Sequence, residues 1–130
     1  MHIDADWFRA VSLFNRGDYY QTHEILEPVW LRATGWDRHF LAGIIQLASA
    51  LHKDRHHGNP RAARLIYARA LRHLAWLPGA YYAVDLRALE RSCLAALSDP
   101  SARPTIPLLD KASLVPRQSH LRPPSPGEGG

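Results

Sequence analysis

A chain of 130 residues holds one domain at most, and a hydrophobic content of 46% is that of an ordinary globular protein. Lys and Arg number 16 against 12 Asp and Glu, a formal charge of +4, and 14 of the 16 are Arg, which is compatible with an anionic partner. The single Cys93 cannot close an internal disulfide, and no N-terminal run is long and apolar enough for a signal peptide or a membrane span, so a cytoplasmic protein with no membrane partner is expected.

Helical spacing of apolar residues recurs along the chain, with no strand-like alternation and no internal repeat. Residues 4–16 read as a first helix with Trp7, Phe8, Val11 and Phe14 at helical intervals, ended by Gly17. A second helix runs from about Tyr19 to Ala33. Asp18 with Gln21 three positions on reads as a capping box at its start, and Gly35 lies just past its end. Pro28 removes the amide that would bond the Glu24 carbonyl, so a kink is expected there. Asp37 reads as the cap of a third helix over about 38–56. Its run Phe40 to Leu51 is apolar or small almost all round, which makes it the expected central helix.

Gly58-Asn59-Pro60 is a stop followed by a restart, with Asn as N-cap and Pro in the first turn. Helix four then reaches about Leu77, with Ala63, Ile66, Tyr67, Ala70, Leu74 and Leu77 facing in and Arg61, Arg64, Arg69 and Arg72 facing out. Tyr81 and Tyr82 fall in a connection. Asp85 caps a fifth helix to about Ser98, with Leu86, Leu89, Cys93 and Leu97 inward. Seven of the ten prolines lie at or after position 100 and the chain ends Gly-Glu-Gly-Gly, so residues 100–130 read as a disordered tail. A short docked segment at Ile106–Val115 is the minor alternative. The expectation is an all-α, compact single-domain bundle of about five helices over 1–99, followed by that tail.

The densest set of chemically able side chains lies at 18–30. His23 and Glu27 are four apart, so they stack one turn above the other on a helix, at the edge of the face carrying Leu26, Val29 and Trp30. Such a pair can share a proton or a cation. Glu24 and Tyr20 continue the polar strip outward. Gln46 is the one strongly polar residue in the apolar run of the third helix; buried, it needs polar partners, and the His23/Glu27 strip is the nearest such surface in sequence. Two readings stand here. Either His23 and Glu27 are a hydrogen-bonded pair that fixes helix packing, or they begin a site. A permanent zinc or iron centre wants four or more ligands, usually three of them from protein, so Glu24, Gln46 or a second subunit would have to complete it. His52, His56 and His57 read as the polar end of the third helix, and His39 and His73 as isolated surface or edge histidines. The five Arg and no acid over 55–84 make a basic face, read as solvated rather than as a nucleic-acid surface.

Several ordered motifs carry a resemblance. They are Phe14-Asn15-Arg16-Gly17-Asp18-Tyr19-Tyr20, then His23-Glu24-x-x-Glu27-x-x-Trp30, then Gly43-Ile44-Ile45-Gln46-Leu47-Ala48-Ser49-Ala50, then Gly58-Asn59-Pro60. Over about residues 7–90 the chain resembles the prokaryotic family catalogued as domain of unknown function 309, marked by His-x-x-x-Glu-x-x-Trp/Tyr. The resemblance implies a compact all-α fold and a metal role for the motif, with His23 and Glu27 as ligands and Trp30 as their aromatic neighbour. Pro28 is a departure from the pattern.

The site expectation is therefore a divalent metal ion or small polar ligand held by His23 and Glu27, with Tyr20, Trp30 and Gln46 around it. If catalysis occurs there, Glu24 is the general base and hydrolysis the reaction. The rival reading is a non-catalytic interaction module, through a homodimer of the apolar helices or nucleic acid on the Arg face.

Overall fold

The structure is a computed structural model, and it describes residues 4–108. Five helices account for most of it: α1 (Asp4–Asn15), α2 (Tyr19–Arg32), α3 (Gly35–His57), α4 (Pro60–Leu74) and α5 (Leu86–Ser98). The first four are joined by two- or three-residue turns, which make successive helices antiparallel neighbours. The 23-residue α3 is about 34 Å long at 1.5 Å per residue. It packs on α4 and α2 over most of its length and also meets α5. Phe40, Leu41, Ile44, Leu47, Ala48, Ala50 and Leu51 of α3 are buried, so the apolar run is the centre of the core.

At Gly43 of α3, the Leu74 side chain of α4 takes the space that a side chain would need. A Cβ there would stand 2.3 Å from Cδ2 and 2.5 Å from Cγ of Leu74, which is itself fully buried. On α1 the inward face is Trp7, Ala10, Val11 and Phe14. Phe8, expected with them, is 62% exposed, because it lies about 100° around the helix from Trp7.

The caps divide into those the sequence marks and those tertiary contacts claim. Asn59 Oδ1 accepts from Ala62 N at 3.1 Å, and Asp85 Oδ1 accepts from Ala88 N at 3.1 Å. Gly58 ends α3 in the left-handed conformation, φ 58°. Asp18 occupies the N-cap position of α2 without a side-chain cap bond, and its carboxylate pairs with Arg16 Nε at 3.4 Å. The capping box expected there does not form. Asp37 lies inside the first turn of α3 rather than at its cap, and accepts a hydrogen bond from the Tyr81 hydroxyl. The α-helical span of α2 runs through Pro28.

One element has no sequence signal. β1 (Ala80–Tyr81) and β2 (Val84–Asp85) pair antiparallel, Tyr81 opposite Val84, around a turn whose central residues Tyr82 and Ala83 both have positive φ, 46° and 67°. Such a turn ordinarily carries Asn-Gly. Left-handed backbone costs an ordinary residue about 1–2 kcal/mol. Aromatic packing offsets it: the Tyr82 ring meets Trp7 and Phe40 at 5.8 and 6.0 Å, and Tyr81 meets Phe40 at 5.2 Å.

Packing continues beyond the boundary expected at residue 99. Arg55 donates to the carbonyls of Ala96, Asp99 and Pro100 at 2.8, 3.2 and 2.7 Å, holding the end of α5 and the chain that leaves it. Ile106 is buried, and its N–H bonds Asn15 Oδ1 at 2.8 Å. The Asp85 N–H bonds the Pro107 carbonyl at 3.1 Å, and Leu108 bridges Val84. Proline-rich composition argues against helix and does not argue against docking of extended chain. The rest of the expected disordered tail, 109–130, lies outside the described residues. Among the described residues no helix is long and apolar enough to cross a membrane.

Candidate functional site

Antiparallel packing sets the first turns of α2 against the last turns of α3. Between them, with Ile66 of α4 as a wall, is a cleft of about 310 Å³ lined by Tyr19, Tyr20, His23, Ser49, His52, Lys53 and His57. Tyr19 is buried and forms the floor from the α2 side, its hydroxyl held above its ordinary pKa by burial. Tyr20 is 52% exposed and stands at the rim, its ring 6.5 Å from His23 and 5.7 Å from His52.

His23 is gripped by carboxylates of its own helix. Its Nε2 lies 2.8 Å from Glu27 Oε2, and its Nδ1 lies 3.7 Å from Glu24 Oε1. The first is a hydrogen bond and the second is too long for one. Glu27 therefore fixes the Nε2–H tautomer and leaves Nδ1 as the nitrogen able to exchange a proton or bond a ligand. His52 sits one helical turn from His56, ring centres 4.8 Å apart, and 4.9 Å from His57. Its Nδ1 is buried without a partner. Burial, then the charges of His56, His57, Lys53 and His23, hold the His52 pKa below the ordinary imidazole value, so it is neutral at neutral pH.

Of the residues expected at the site, His23 and Tyr20 line the cleft, and Glu27 holds His23 from outside it. Glu24, expected as a general base, is exposed and outside the lining. Gln46 is half-buried one turn before Ser49; Ser49, His52 and Lys53 are what α3 contributes to the cleft, with His57 at its end. Trp30 lies seven residues from His23, about 10 Å along the helix axis. Its ring packs under the Arg38 guanidinium at 4.5 Å, while Arg38 Nη1 reaches the Trp30 carbonyl at 3.3 Å. The indole Nε1 of Trp30 is buried and unpartnered. Trp30 thus anchors the α2–α3 turn rather than the cleft.

The metal role implied by the motif can be tested on the donors. Among the described residues no group of three or more His, Cys, Asp and Glu side chains converges. The His23–Glu27 separation of 2.8 Å is that of a shared proton. Two donors on one tetrahedral ion stand about 3.3 Å apart when each bond is about 2.0–2.1 Å. As arranged the pair is a hydrogen bond, and holding one ion between them would need the two atoms to part by about 0.5 Å.

His52, Lys53, His57 and Ser49 were legible only as an α3 terminus. The signal available was the i, i+4 spacing of His52 and His56 and the position of Lys53 beside them. Their partners on α2 are distant in sequence, and only helix packing brings them together.

Comparison with known proteins agrees with the family resemblance. The family model described as domain of unknown function (DUF309) matches residues 7–66. An uncharacterized protein of Aquifex aeolicus (strain VF5) is 35% identical over 78 residues, 59% of this chain, which spans 23% of that relative's length. The crystal structure of a conserved hypothetical protein from Thermus thermophilus is 39% identical and superimposes with a TM-score of 0.65, covering 72% of this chain and 96% of that one. With a family model matched over residues 7–66, a shared fold and nearly the whole of a solved relative covered at 39% identity, this chain belongs to the DUF309 family.

Proposed function

We propose that this protein binds a small polar ligand bearing an anionic group, in the cleft between α2 and α3. The observation that carries the reading is the lining. His23, His52, Lys53 and His57 converge on about 310 Å³, Ser49 and two tyrosines add hydroxyls, and no carboxylate is among the lining residues described. That volume lies at the small end of ligand pockets, which run from about 300 to 1,000 Å³. Lys53 supplies the fixed positive charge. Neutral His52 offers a hydrogen bond without the desolvation cost of a second cation. His23, oriented by Glu27, can deliver or accept a proton at Nδ1. This is recognition chemistry for a carboxylate or phosphate oxyanion, with the Tyr20 ring as a face for an attached apolar group. Glu24 lies outside the lining, so the reading is one of binding, with any hydrolysis left to groups other than this carboxylate.

Titration with inorganic phosphate, followed through the imidazole NMR signals, tests it. The expected outcome is perturbation of the His23 and His52 rings, with affinity weakened about tenfold or more in Lys53→Gln and His52→Gln, a change of about 1.4 kcal/mol. Equal affinity in wild type and both folded variants would remove the cleft as an anion site.

A further inference from the structure

A second histidine pair lies at the other end of the α3–α4 contact, outside the cleft. His39 in the first turns of α3 and His73 in the last turn of α4 meet ring to ring. Their Nδ1 atoms are 3.4 Å apart, with ring centres at 5.6 Å. The Trp76 indole, 46% exposed, stacks on His39 at 6.2 Å and 30°.

A separation of 3.4 Å is long for an N–H···N bond, whose usual distance is about 2.9–3.0 Å. It matches the gap between two imidazole nitrogens on one tetrahedral ion, about 3.3–3.4 Å for metal–nitrogen bonds of about 2.0–2.1 Å. The packing beneath the pair is tight. Gly43, one turn beyond His39, receives the side chain of Leu74, the residue after His73. Leu74 and Phe40, the sequence neighbours of the two rings, are fully buried. The two imidazoles are therefore presented from two helices held together by buried, close-packed side chains. Both rings are half-buried, so solvent reaches the pair and water can fill the remaining coordination positions.

We propose that His39 and His73 form a two-imidazole site for a late first-row transition-metal ion, clipping α3 to α4. Imidazole donors favour Cu²⁺, Ni²⁺ and Zn²⁺ over Mg²⁺ and Ca²⁺, which take oxygen ligands. With two protein donors the site is exchangeable rather than a permanent centre. The proposal stands apart from the cleft reading and does not need it.

The test uses the full chain without a polyhistidine tag. Zn²⁺ added to wild type should move the ¹⁵N signals of Nδ1 in His39 and His73, and calorimetry should show a binding event weakened at least tenfold in His39→Gln and in His73→Gln. Ni²⁺ should quench an emission component that is missing in Trp76→Phe. Mg²⁺ should do neither. Other histidines provide background, so the double variant His52→Gln/His56→Gln should retain the Nδ1 shifts and the Trp76 quenching. The proposal is overturned if Zn²⁺ leaves both Nδ1 signals of the wild type in place. It is equally overturned if folded His39→Gln and His73→Gln bind Zn²⁺ as the wild type does, or if His52→Gln/His56→Gln abolishes the binding. The wild-type ¹⁵N measurement decides the matter even if a glutamine variant does not fold.

Discussion

The two ends of α3 carry the same residue type in opposite settings. At the C-terminal end, His52 faces a cleft shared with Lys53, His57 and the carboxylate-held His23. About 20 Å away along the same helix, His39 faces His73 across a helix contact, beneath an indole. The nearest acid in sequence, Asp37, accepts from Tyr81 and is taken up by the hairpin. At the first end a proton and a fixed cation are in place, which suits an anionic ligand. At the second, two nitrogens stand at a metal's bite with a buried contact beneath them. Imidazole does not choose its chemistry; the groups that hold it do.

The contrast requires the two ends to be independent, and Gly43 is the place to break it. Gly43→Val drives a branched side chain into buried Leu74. Overpacking of that kind costs about 1–3 kcal/mol, and a loss of about 2–3 kcal/mol is expected by chemical denaturation. Leu74→Ala added to it should recover part of the loss, so the two changes should not sum. Because Gly43 underlies only the His39/His73 end, Zn²⁺ binding should fall while phosphate binding at the cleft persists. Loss of both together would mean that the ends are one unit.

Arg55 sharpens the contrast from the cleft side. It lies about one turn beyond His52 and donates to three carbonyls at the end of α5 and the chain after it. Hydrogen bonds from a charged donor contribute about 1.5–3 kcal/mol, and cations are favoured at a helix C-terminus. Arg55→Met should cost about 2 kcal/mol and release hydrogen-exchange protection over residues 99–108, with Zn²⁺ binding at His39/His73 unchanged. Protection retained in that segment would show that Asn15 and the hairpin hold it without Arg55.

The smallest expected effect is shared by both ends. His52 and His73 each have a lowered pKa in the folded protein, in both cases chiefly through burial. Below about pH 6.5, the ordinary value, the unfolded chain takes up protons that the folded one refuses. The stabilisation is thus complete above that pH and is lost as pH falls towards the lower folded values. Thermal midpoints should drop between about pH 7.5 and about pH 5.5, either side of that value, and drop less in His52→Gln and in His73→Gln. An unchanged slope in either variant would mean that the ring in question carries no share of the acid sensitivity.

Much of the fold was legible because its signals are local. Helical spacing, Asn59 before Pro60, Asp85 before Leu86 and Gly58 after His57 each act within a few residues, and each does in the structure what its chemistry dictates. The capping roles read for Asp18 and Asp37 failed because a nearby partner was available, Arg16 for one and Tyr81 for the other. The His23–Glu27 contact was readable too, since four residues make one turn.

By itself the sequence determined a five-helix chain with an apolar α3 at its centre and a carboxylate-held imidazole on α2. Tertiary structure alone decided that His52, Lys53 and Tyr20 share a cleft, that His39 meets His73 across 34 residues, that Tyr82 and Ala83 turn left-handed, and that residues 100–108 dock. The reason is one of range. Caps and periodicity are written in neighbours three or four positions apart, whereas these features depend on the rotation and register of one packed helix on another. That register is set by shape, as at Gly43 and Leu74, and shape appears only when both helices are in place.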